Sequence, residues 1–290
     1  WKKGVHKQLP HQGYHRHASL ASPSCVTNGK YVIAFFGSYG LYCFDLKGNL
    51  IWEKDFGDMQ VYGSFGEGSS PTIADNKVII VWDHEDQSKI VVLDIASGKE
   101  IWQKEREERT TWATPVVINQ DDKKIIAVAG ENQCIGYDSE NGDVIWQVGG
   151  LGAEIIASPV ANDSMVYFMS GASTSRKILM AINTNKAGMN VDSTEYVTWV
   201  KEGKTANIPS PVLVNGKLYY LRGFSSQLTC IDAQTGQIYF EIERPKGLRM
   251  VYASPIAANG YIYILGRDGN CALVKEDETF NVHTVNKLDD

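Results

Sequence analysis

Four of the six histidines lie within the first 17 residues, at His6, His11, His15 and His17. Neutral imidazoles bind metals and transfer protons near physiological pH, so this cluster could form a metal site or a proton relay. The spacings of five, four and two residues match no zinc signature. Polar residues, glycines and a proline surround the histidines, so we interpret residues 1–21 as an N-terminal segment or inter-blade loop.

A second group that could do chemistry consists of Asp83, Glu85 and Asp86. Glycoside hydrolysis uses two carboxyl groups on opposite sides of the bound sugar, about 5 to 10 Å apart. Because these three acids share one turn, a solvated acidic turn is the better interpretation. A hydrolase or lyase that combines such carboxylates with the opening histidines stays open as an alternative.

The five cysteines form no CxxC motif, no adjacent pair and no haem-attachment motif. This pattern argues against a zinc site, a vicinal disulfide and a bound haem, and the odd number leaves at least one free thiol. Several cysteines occur where a small apolar residue recurs, so we interpret them as core thiols. The predicted core thiols are Cys43, Cys134, Cys230 and Cys271, and the fifth cysteine is Cys25.

The composition is that of a globular chain, with 43% hydrophobic and 21% charged residues among 290. A net charge of −6 without a long basic run disfavours nucleic acid as a partner. The longest apolar runs are far shorter than the ~18 residues of a spanning helix, so we predict no transmembrane segment. The chain opens at Trp1 without a leader, which we interpret as a processed product or an excerpt.

A Ser-Pro or Thr-Pro pair recurs along the chain, and its prolines are 48, 44, 44, 52 and 44 residues apart. After each pair come three short apolar runs separated by turns, then an acidic or amide residue, a Gly turn and an aromatic residue. Such a unit accommodates four short strands. The pairs are Ser22-Pro23, Ser70-Pro71, Thr114-Pro115, Ser158-Pro159, Ser210-Pro211 and Ser254-Pro255.

The end of the unit is its most regular part. Gly supplies the positive φ of a tight turn and the preceding Asp accepts hydrogen bonds from the turn backbone, which is turn chemistry rather than catalysis. The fourth unit carries an insertion, and the sixth has lost both the Asp and the aromatic residue. The residues are Asp45, Asp94, Asp138 and Asp232; Gly98, Gly142 and Gly236; and Trp52, Trp102, Trp146, Trp199 and Phe240.

The third strand of each unit is apolar on both faces, which indicates a sheet covered on both sides. Four-stranded sheets repeated at this period form a propeller or a stacked array. We therefore predict an all-β protein with one β-propeller domain over residues 22–290. Its four-stranded antiparallel blades start near residues 22, 70, 114, 158, 210 and 254.

A regular unit contains, in order, a Ser-Pro pair, strands, small-x-Asp, a Gly turn and a terminal Trp. This order resembles the pyrroloquinoline-quinone (PQQ)-type repeat, and the resemblance extends from about Ser22 to Asn286. The resemblance implies a tryptophan-docking motif, in which the aromatic residues named above lock neighbouring blades together. It also implies that Trp1 ends a preceding blade. Residues 17–19 and 34–41 resemble sequence stretches of bacterial secreted propeller proteins that have seven or eight blades. We therefore expect the six visible blades to belong to a seven- or eight-bladed propeller.

Quinone-dependent alcohol dehydrogenases share this repeat, so the resemblance raises the question of a cofactor. Their chemistry needs a calcium ion beside the quinone, a carboxylate base and, in the better-known members, an adjacent cysteine pair. That pair is absent here and no acidic run marks a calcium cage. We predict no cofactor, with PQQ and calcium as the alternative, since a shared fold does not carry function.

In a propeller, the connections between blades and the turns between second and third strands lie on one face, the default place for a ligand. Aromatic and Arg residues there suit a sugar or a peptide. The alternative is that each residue is simply an exposed turn residue. The candidates are His17, Tyr62, His84, Trp112, Glu131, Asn207, Arg222, Tyr252, Arg267 and Asp268.

Every repeated residue has a structural role, so we predict a non-catalytic binding or scaffolding module for a protein or carbohydrate partner. The resemblance extends to an outer-membrane assembly lipoprotein that binds partner proteins without a quinone, and it implies a periplasmic or extracellular location. The alternative is an enzyme with its site on the channel face, either a quinone-dependent dehydrogenase or a hydrolase or lyase.

Overall fold

The strands of the protein are short and follow one another without long helices. The computed structural model describes residues 1–16, 18–19, 21–120, 123–171, 176–186 and 194–288. The strands in this part of the chain are β1 (Val26–Thr27), β2 (Tyr31–Phe35), β3 (Leu41–Asp45), β4 (Leu50–Lys54), β5 (Thr72–Ala74), β6 (Lys77–Trp82), β7 (Lys89–Asp94), β8 (Glu100–Glu105), β9 (Val116–Gln120), β10 (Lys123–Val128), β11 (Gln133–Asp138), β12 (Val144–Gly149), β13 (Val160–Ala161), β14 (Met165–Met169), β15 (Ile178–Asn183), β16 (Val197–Glu202), β17 (Val212–Val214), β18 (Lys217–Leu221), β19 (Leu228–Asp232), β20 (Ile238–Glu243), β21 (Ile256–Ala258), β22 (Tyr261–Leu265), β23 (Asn270–Lys275) and β24 (Val282–Lys287).

These strands form six separate sheets, each of four antiparallel strands in chain order, and we number them blade 1 to blade 6. The described helical elements are single 3₁₀ turns at Gly37–Tyr39, Tyr62–Ser64 and Thr194–Tyr196. The prediction of an all-β fold built from four-stranded antiparallel blades is therefore confirmed.

Most blades are buried on both faces because their central strands are apolar on both. All six residues of β6 and all five of β14 are buried. Ile33 and Leu41 of blade 1 share one apolar cluster with Val78 and Val91 of blade 2. The core therefore lies between blades, and each sheet depends on its neighbours for burial of its apolar surface.

Blade 6 differs because only one of its faces is fully covered. Ile262 and Val274 are completely buried in the cluster that spans blades 4 to 6. On the opposite face, Ile256 is 65% exposed and Leu265 is 37% exposed.

A repeated hydrogen bond links the first strands of consecutive blades. The backbone N–H of Ser70 donates to Oγ1 of Thr114 at 3.1 Å, and that of Thr114 donates to Oγ of Ser158 at 3.0 Å. The same bond joins Ser158 to Ser210 and Ser210 to Ser254, each at 2.9 Å. From Ser70 onward, the hydroxyl of each Ser-Pro or Thr-Pro pair therefore receives a backbone donor from the blade before it.

In blade 1 the donor to Ser70 is the N–H of Ser24, at 2.9 Å. The strand pairing shows that Ser24 is the equivalent of Ser70, because Val26 lies opposite Ile33 as Thr72 lies opposite Ile79. The Ser-Pro pair at residues 22–23 thus precedes the equivalent position by two residues.

A β-bulge interrupts the pairing of third and fourth strands at the same place in every blade. The residue before the bulge faces the fourth-strand aromatic residue, with Cys43 opposite Trp52 and Gly136 opposite Trp146. A Cβ on Gly136 would lie 2.2 Å from the Trp146 ring, so only glycine fits there. Small residues recur at this position because the indole occupies the space beside them.

Candidate functional site

The fourth-strand tryptophans contact the next blade in a repeated way. Nε1 of Trp52 donates to the carbonyl oxygen of Ile95 at 2.9 Å, and Nε1 of Trp102 donates to that of Ser139 at 3.1 Å. Each acceptor directly follows the turn Asp of the next blade. The ring lies against the turn glycine, where a Cβ on Gly98 would approach Trp52 to 2.6 Å. The same contacts join Trp1 to Leu46 and Gly48, and Trp199 to Ala233 and Gly236.

The turn aspartates hold these turns in shape. Oδ1 of Asp94 accepts hydrogen bonds from the N–H of Ser97 at 2.8 Å and from its hydroxyl at 2.6 Å. Asp232 accepts the corresponding bonds from Thr235, both at 2.7 Å. The hydroxyl bonds are the main reason why the pKa of each of these two carboxyl groups lies below its ordinary value. Both carboxylates are therefore engaged in turn structure.

Two aromatic residues depart from the regular contact. Nε1 of the fully buried Trp146 has no hydrogen-bond partner among the described residues. The carbonyl oxygen of Thr184, at the position where the acceptor is expected, receives Nε2 of Gln120 instead, at 2.9 Å. Phe240 has no N–H to donate, and its ring contacts Phe280 of blade 6 at a centroid distance of 5.5 Å.

The inter-blade connections and the turns between second and third strands lie on one face, which we call the connection face. Backbone hydrogen bonds tie them together, as from Glu85 N to the oxygen of Gln60 at 2.7 Å and from Val251 N to that of Phe224 at 3.1 Å. All the predicted ligand residues belong to these segments by chain position. His17 among them lies outside the described residues.

On blades 2 and 3 this face contains a fully buried ion pair. Nε of Arg106 donates to Oδ1 of Asp83 at 2.9 Å and Nη2 donates to Oδ2 at 3.2 Å, and both side chains are 0% exposed. The hydroxyl of Thr111 also donates to Asp83, at 2.8 Å. Nη1 of Arg106 donates to the Tyr137 hydroxyl at 3.2 Å, and Nη2 also donates to the carbonyl oxygen of Ala129 at 3.2 Å. We call Asp83, Arg106, Thr111 and Tyr137 the paired cluster.

The electrostatics of the paired cluster follow from burial and pairing together. Burial alone would lower the pKa of Arg106, but the adjacent charge of Asp83 raises it above its ordinary value. Burial raises the pKa of the nearby Glu108, although its carboxylate accepts the N–H groups of Asn132 at 3.0 Å and Gln133 at 2.9 Å. Asp83 is therefore a structural ion-pair partner, not the member of a solvated acidic turn that the sequence predicted.

Beside the paired cluster is a small depression of about 80 Å³. Glu85 accepts Nη2 of Arg109 at 2.6 Å and the Thr110 hydroxyl at 2.7 Å. The guanidinium of Arg109 also lies 5.5 Å from the centre of the Tyr62 ring. The depression thus brings together three predicted ligand residues, Tyr62, Trp112 and Glu131.

His84 lies beneath the surface rather than on it. The side chain is buried, and its Nδ1 accepts the backbone N–H of Gln60 at 3.1 Å. Burial lowers its pKa. The neutral ring therefore supports the loop that carries Gln60 and is withdrawn from ligands at the face.

On blades 4 to 6 the connection face has a larger groove, of about 530 Å³. Among the described residues, the charged side chains that line it are all basic. The four cationic side chains are all exposed, and none forms an ion pair among the described residues. They come from three segments of chain, and we call the site the basic groove. The cations are Lys177, Arg222, Arg244 and Arg249.

Aromatic and apolar side chains accompany these cations. The rings of Phe224 and Tyr252 stack with centroids 5.1 Å apart, and the guanidinium of Arg267 lies 4.9 Å from the centre of the Tyr252 ring. Phe224 is 42% exposed and Met250 is 47% exposed, while Leu248 is buried. The groove therefore offers apolar contacts beside positive charge.

Of the predicted ligand residues, Arg222 lines the groove, and the lining does not include Tyr252, Arg267, Asp268 or Asn207. Asp268 accepts the side-chain amide of Asn270 at 2.9 Å within its own turn. Oδ1 of Asn207 is buried without a hydrogen-bond partner among the described residues. Sequence reasoning missed Arg244 and Arg249, although the connection at residues 244–250 carries three cations and no acid, a signal that would have identified them.

The described part of the opening segment lies against blade 1 and the loop that follows it. Nε2 of His11 donates to the carbonyl oxygen of Met59 at 2.9 Å, and the His6 ring lies 5.3 Å from that of Tyr39. Val5 packs on the apolar cluster of blade 1 that includes Phe44. Among the described residues, no group of three or more His, Cys, Asp or Glu side chains is arranged to hold a metal ion.

The cysteines are free thiols. Cys43, Cys134 and Cys230 are buried, as predicted for core residues, whereas Cys271, predicted with them, is only half-buried. Burial raises the pKa of the Cys43 thiol to about 11 and those of Cys134 and Cys230 to about 12. These three thiols are therefore protonated at neutral pH and inert as nucleophiles.

The family described as "Outer membrane protein assembly factor BamB" matches residues 1–242 of the chain. The chain belongs to this family. The resemblance to PQQ-type repeats and to the outer-membrane assembly propeller is thereby confirmed. In the described residues, none of the helical segments has the length and apolarity needed to cross a bilayer.

Individual relatives agree with this assignment. The outer membrane protein assembly factor BamB of Moranella endobia is 25% identical over 251 residues, which cover 77% of this chain and 58% of that protein. The crystal structure of BamB from Moraxella catarrhalis matches with a TM-score of 0.62 and 17% identity, over 92% of this chain and 73% of that one. The computationally designed Ika8 protein matches with a TM-score of 0.58 and 11% identity, over 91% and 74%. The two structures share the fold.

Proposed function

We propose that the protein is a non-catalytic, protein-binding scaffold that takes part in the assembly of outer membrane proteins. The observation that carries the proposal is membership of a family described as an outer membrane protein assembly factor. The chain spans 58% of the length of the curated relative from Moranella endobia.

The connection face is where we propose that the partner binds. The repeated aromatic residues and turn aspartates are occupied by contacts within and between blades, and we propose that they hold the propeller together. The connection face, in contrast, carries exposed aromatic and cationic side chains of several loops, a composition that favours protein recognition. A carbohydrate ligand remains a sequence-based prediction without support from the comparisons.

We further propose that the scaffold acts in the periplasm or outside the cell and works without PQQ or calcium. The proposed location and the proposed lack of a cofactor both follow the precedent of this family, in which a scaffold acts by binding. Reconstitution with PQQ and calcium tests the second part, because a stoichiometric quinone absorption spectrum would contradict it.

Site-specific photo-crosslinking in living cells tests the scaffold proposal. A photoreactive phenylalanine replaces Tyr62, which is 43% exposed on the connection face, and the matched control carries it at Gln234, exposed on the opposite face. We expect an adduct from Tyr62 that contains a component of the outer-membrane protein assembly machinery, identified by mass spectrometry. Equal adducts from both positions, or none from Tyr62, would contradict the proposal.

A further inference from the structure

We propose that the basic groove binds an acidic, extended peptide segment of the partner protein. This inference deepens the proposed function and rests on it for the partner being a protein. Its starting point is a contrast of charge, because four exposed cations meet around one concavity of a chain whose net charge is −6. Like charges brought together without counter-charges repel one another, and an anionic ligand relieves that repulsion.

The walls of the groove are held in place by the backbone. The N–H of Val251 donates to the oxygen of Phe224 at 3.1 Å, and that of Arg267 donates to the oxygen of Met250 at 2.9 Å. The Ser226 hydroxyl donates to the carbonyl oxygen of Leu248 at 3.3 Å. The backbone at residues 248–251 is therefore fixed between the turns of blades 5 and 6.

The charged donors available to an anion are the four cationic side chains. Backbone N–H groups of the blade 5 turn are already used, since Arg222 N donates to Gln227 O at 3.0 Å, Ser225 N to Arg222 O at 3.0 Å and Gly223 N to Thr205 O at 3.1 Å. A compact phosphate site gathers consecutive backbone N–H groups in a nest, and these three N–H groups are not free to join one. Guanidinium groups instead match carboxylates in a bidentate manner, so separated Arg side chains suit several carboxylates along a chain.

The apolar residues identify the ligand as a peptide rather than a simple polyanion. Phe224 and Met250 are exposed beside the cations and offer contacts to apolar side chains that alternate with acidic ones. The volume of about 530 Å³ is that of a ligand-sized cleft. A flat anionic bilayer would reach cations on a convex surface more readily than those that line a concave groove.

Fluorescence anisotropy of a labelled peptide in which Glu and Asp alternate with Phe and Leu tests the proposal. The control peptide has Gln and Asn in place of the acids. We expect the acidic peptide to bind at least roughly tenfold more tightly than the neutral one, and binding to weaken as salt screens the charges. Equal binding of both peptides would overturn the proposal.

Variants assign the binding to the groove. Arg249→Ala is expected to weaken binding about threefold, and the double variant Arg222→Glu/Arg249→Glu more than about tenfold. The matched control is Lys246→Ala, because Lys246 is exposed on the same connection but does not line the groove. An equal loss from Lys246→Ala and Arg249→Ala would contradict the assignment.

Competition separates the peptide from other anions. Vesicles containing phosphatidylglycerol, an oligonucleotide and inorganic phosphate are each tested against the bound acidic peptide. Co-sedimentation with vesicles that is lost in the double variant would overturn the proposal in favour of a lipid surface, and stronger competition by the oligonucleotide or by phosphate would overturn it in favour of those ligands.

Failure of this inference and failure of the proposed function are distinguishable, because Tyr62 lies outside the basic groove. An unbound acidic peptide together with an assembly-machinery adduct at Tyr62 would refute only the chemistry of the groove. Loss of the adduct would refute the scaffold proposal itself.

Discussion

On blades 2 and 3, the connection face contains a buried ion pair, whereas the cations of the basic groove on blades 4 to 6 are exposed and unpaired among the described residues. Arg106 is 0% exposed and is held by Asp83, but Arg249 is exposed and forms no ion pair in the described part of the chain. A buried charge without a partner would cost several kcal/mol, so the first region must pair its charges within the fold. Water solvates the charges of the second, which leaves them available to bind another molecule.

The strongest test of this comparison is Arg106→Met, which leaves the buried carboxylate of Asp83 without its counter-charge. We expect the free energy of unfolding to fall by about 3 to 5 kcal/mol. Chemical denaturation followed by fluorescence measures it, and Arg249→Met is the matched control, with an expected change below about 0.5 kcal/mol.

A double variant, Asp83→Leu/Arg106→Met, separates the ion pair from the space it fills. Because apolar residues of similar size can replace a buried pair without loss, we expect it to recover most of the stability that Arg106→Met loses. The comparison fails if Arg106→Met costs no more than Arg249→Met.

A smaller effect is expected from pH at His84. Its pKa is lowered in the folded state by burial, so as the pH falls below about 7.5 the unfolded chain binds the proton more readily and stability falls with the pH. His84→Gln should reduce this fall, because the substituted side chain does not titrate. The melting temperature at several pH values measures it, with His283→Gln as a control at an exposed position of blade 6. Identical pH profiles for both variants would contradict the assignment.

The smallest effect is expected from Arg249→Gln. Removing one of several unpaired cations relieves repulsion, so stability should stay constant or rise by less than about 0.5 kcal/mol, and the rise should vanish at high salt. Arg176→Gln is the contrasting variant, since Arg176 pairs with Glu202 at 2.7 Å on the same face. A clear loss of stability in Arg249→Gln would mean that the groove has an internal counter-charge.

The repeated part of the fold could be predicted from sequence because its determinants are local. The Asp, the Gly and the aromatic residue of each unit lie within about nine residues, so one pattern specifies both the turn and the fourth strand. The register of blade 1 could not be predicted from sequence, because Ser22-Pro23 has the residue types of the repeated pair. Only the pairing of Val26 with Ile33 identifies Ser24 as the equivalent donor.

The chemistry of the connection face was less predictable because it depends on contacts between segments that vary in length. Asp83 looks like a surface acid until Arg106, 23 residues away, is placed against it. Likewise, Lys177, Arg222 and Arg249 belong to three separate blade segments. Their convergence follows from the curvature of the propeller, which the spacing of the repeats does not specify.

The hydroxyl acceptors that link the first strands of consecutive blades bear on how such proteins gain or lose blades. Every junction offers the same backbone donor on one side and the same Ser or Thr oxygen on the other, so the joints are head-to-tail and interchangeable. Tandem duplication or excision of one complete module therefore recreates the same joint, and gene-level gain or loss of modules requires no compensating substitution at this seam.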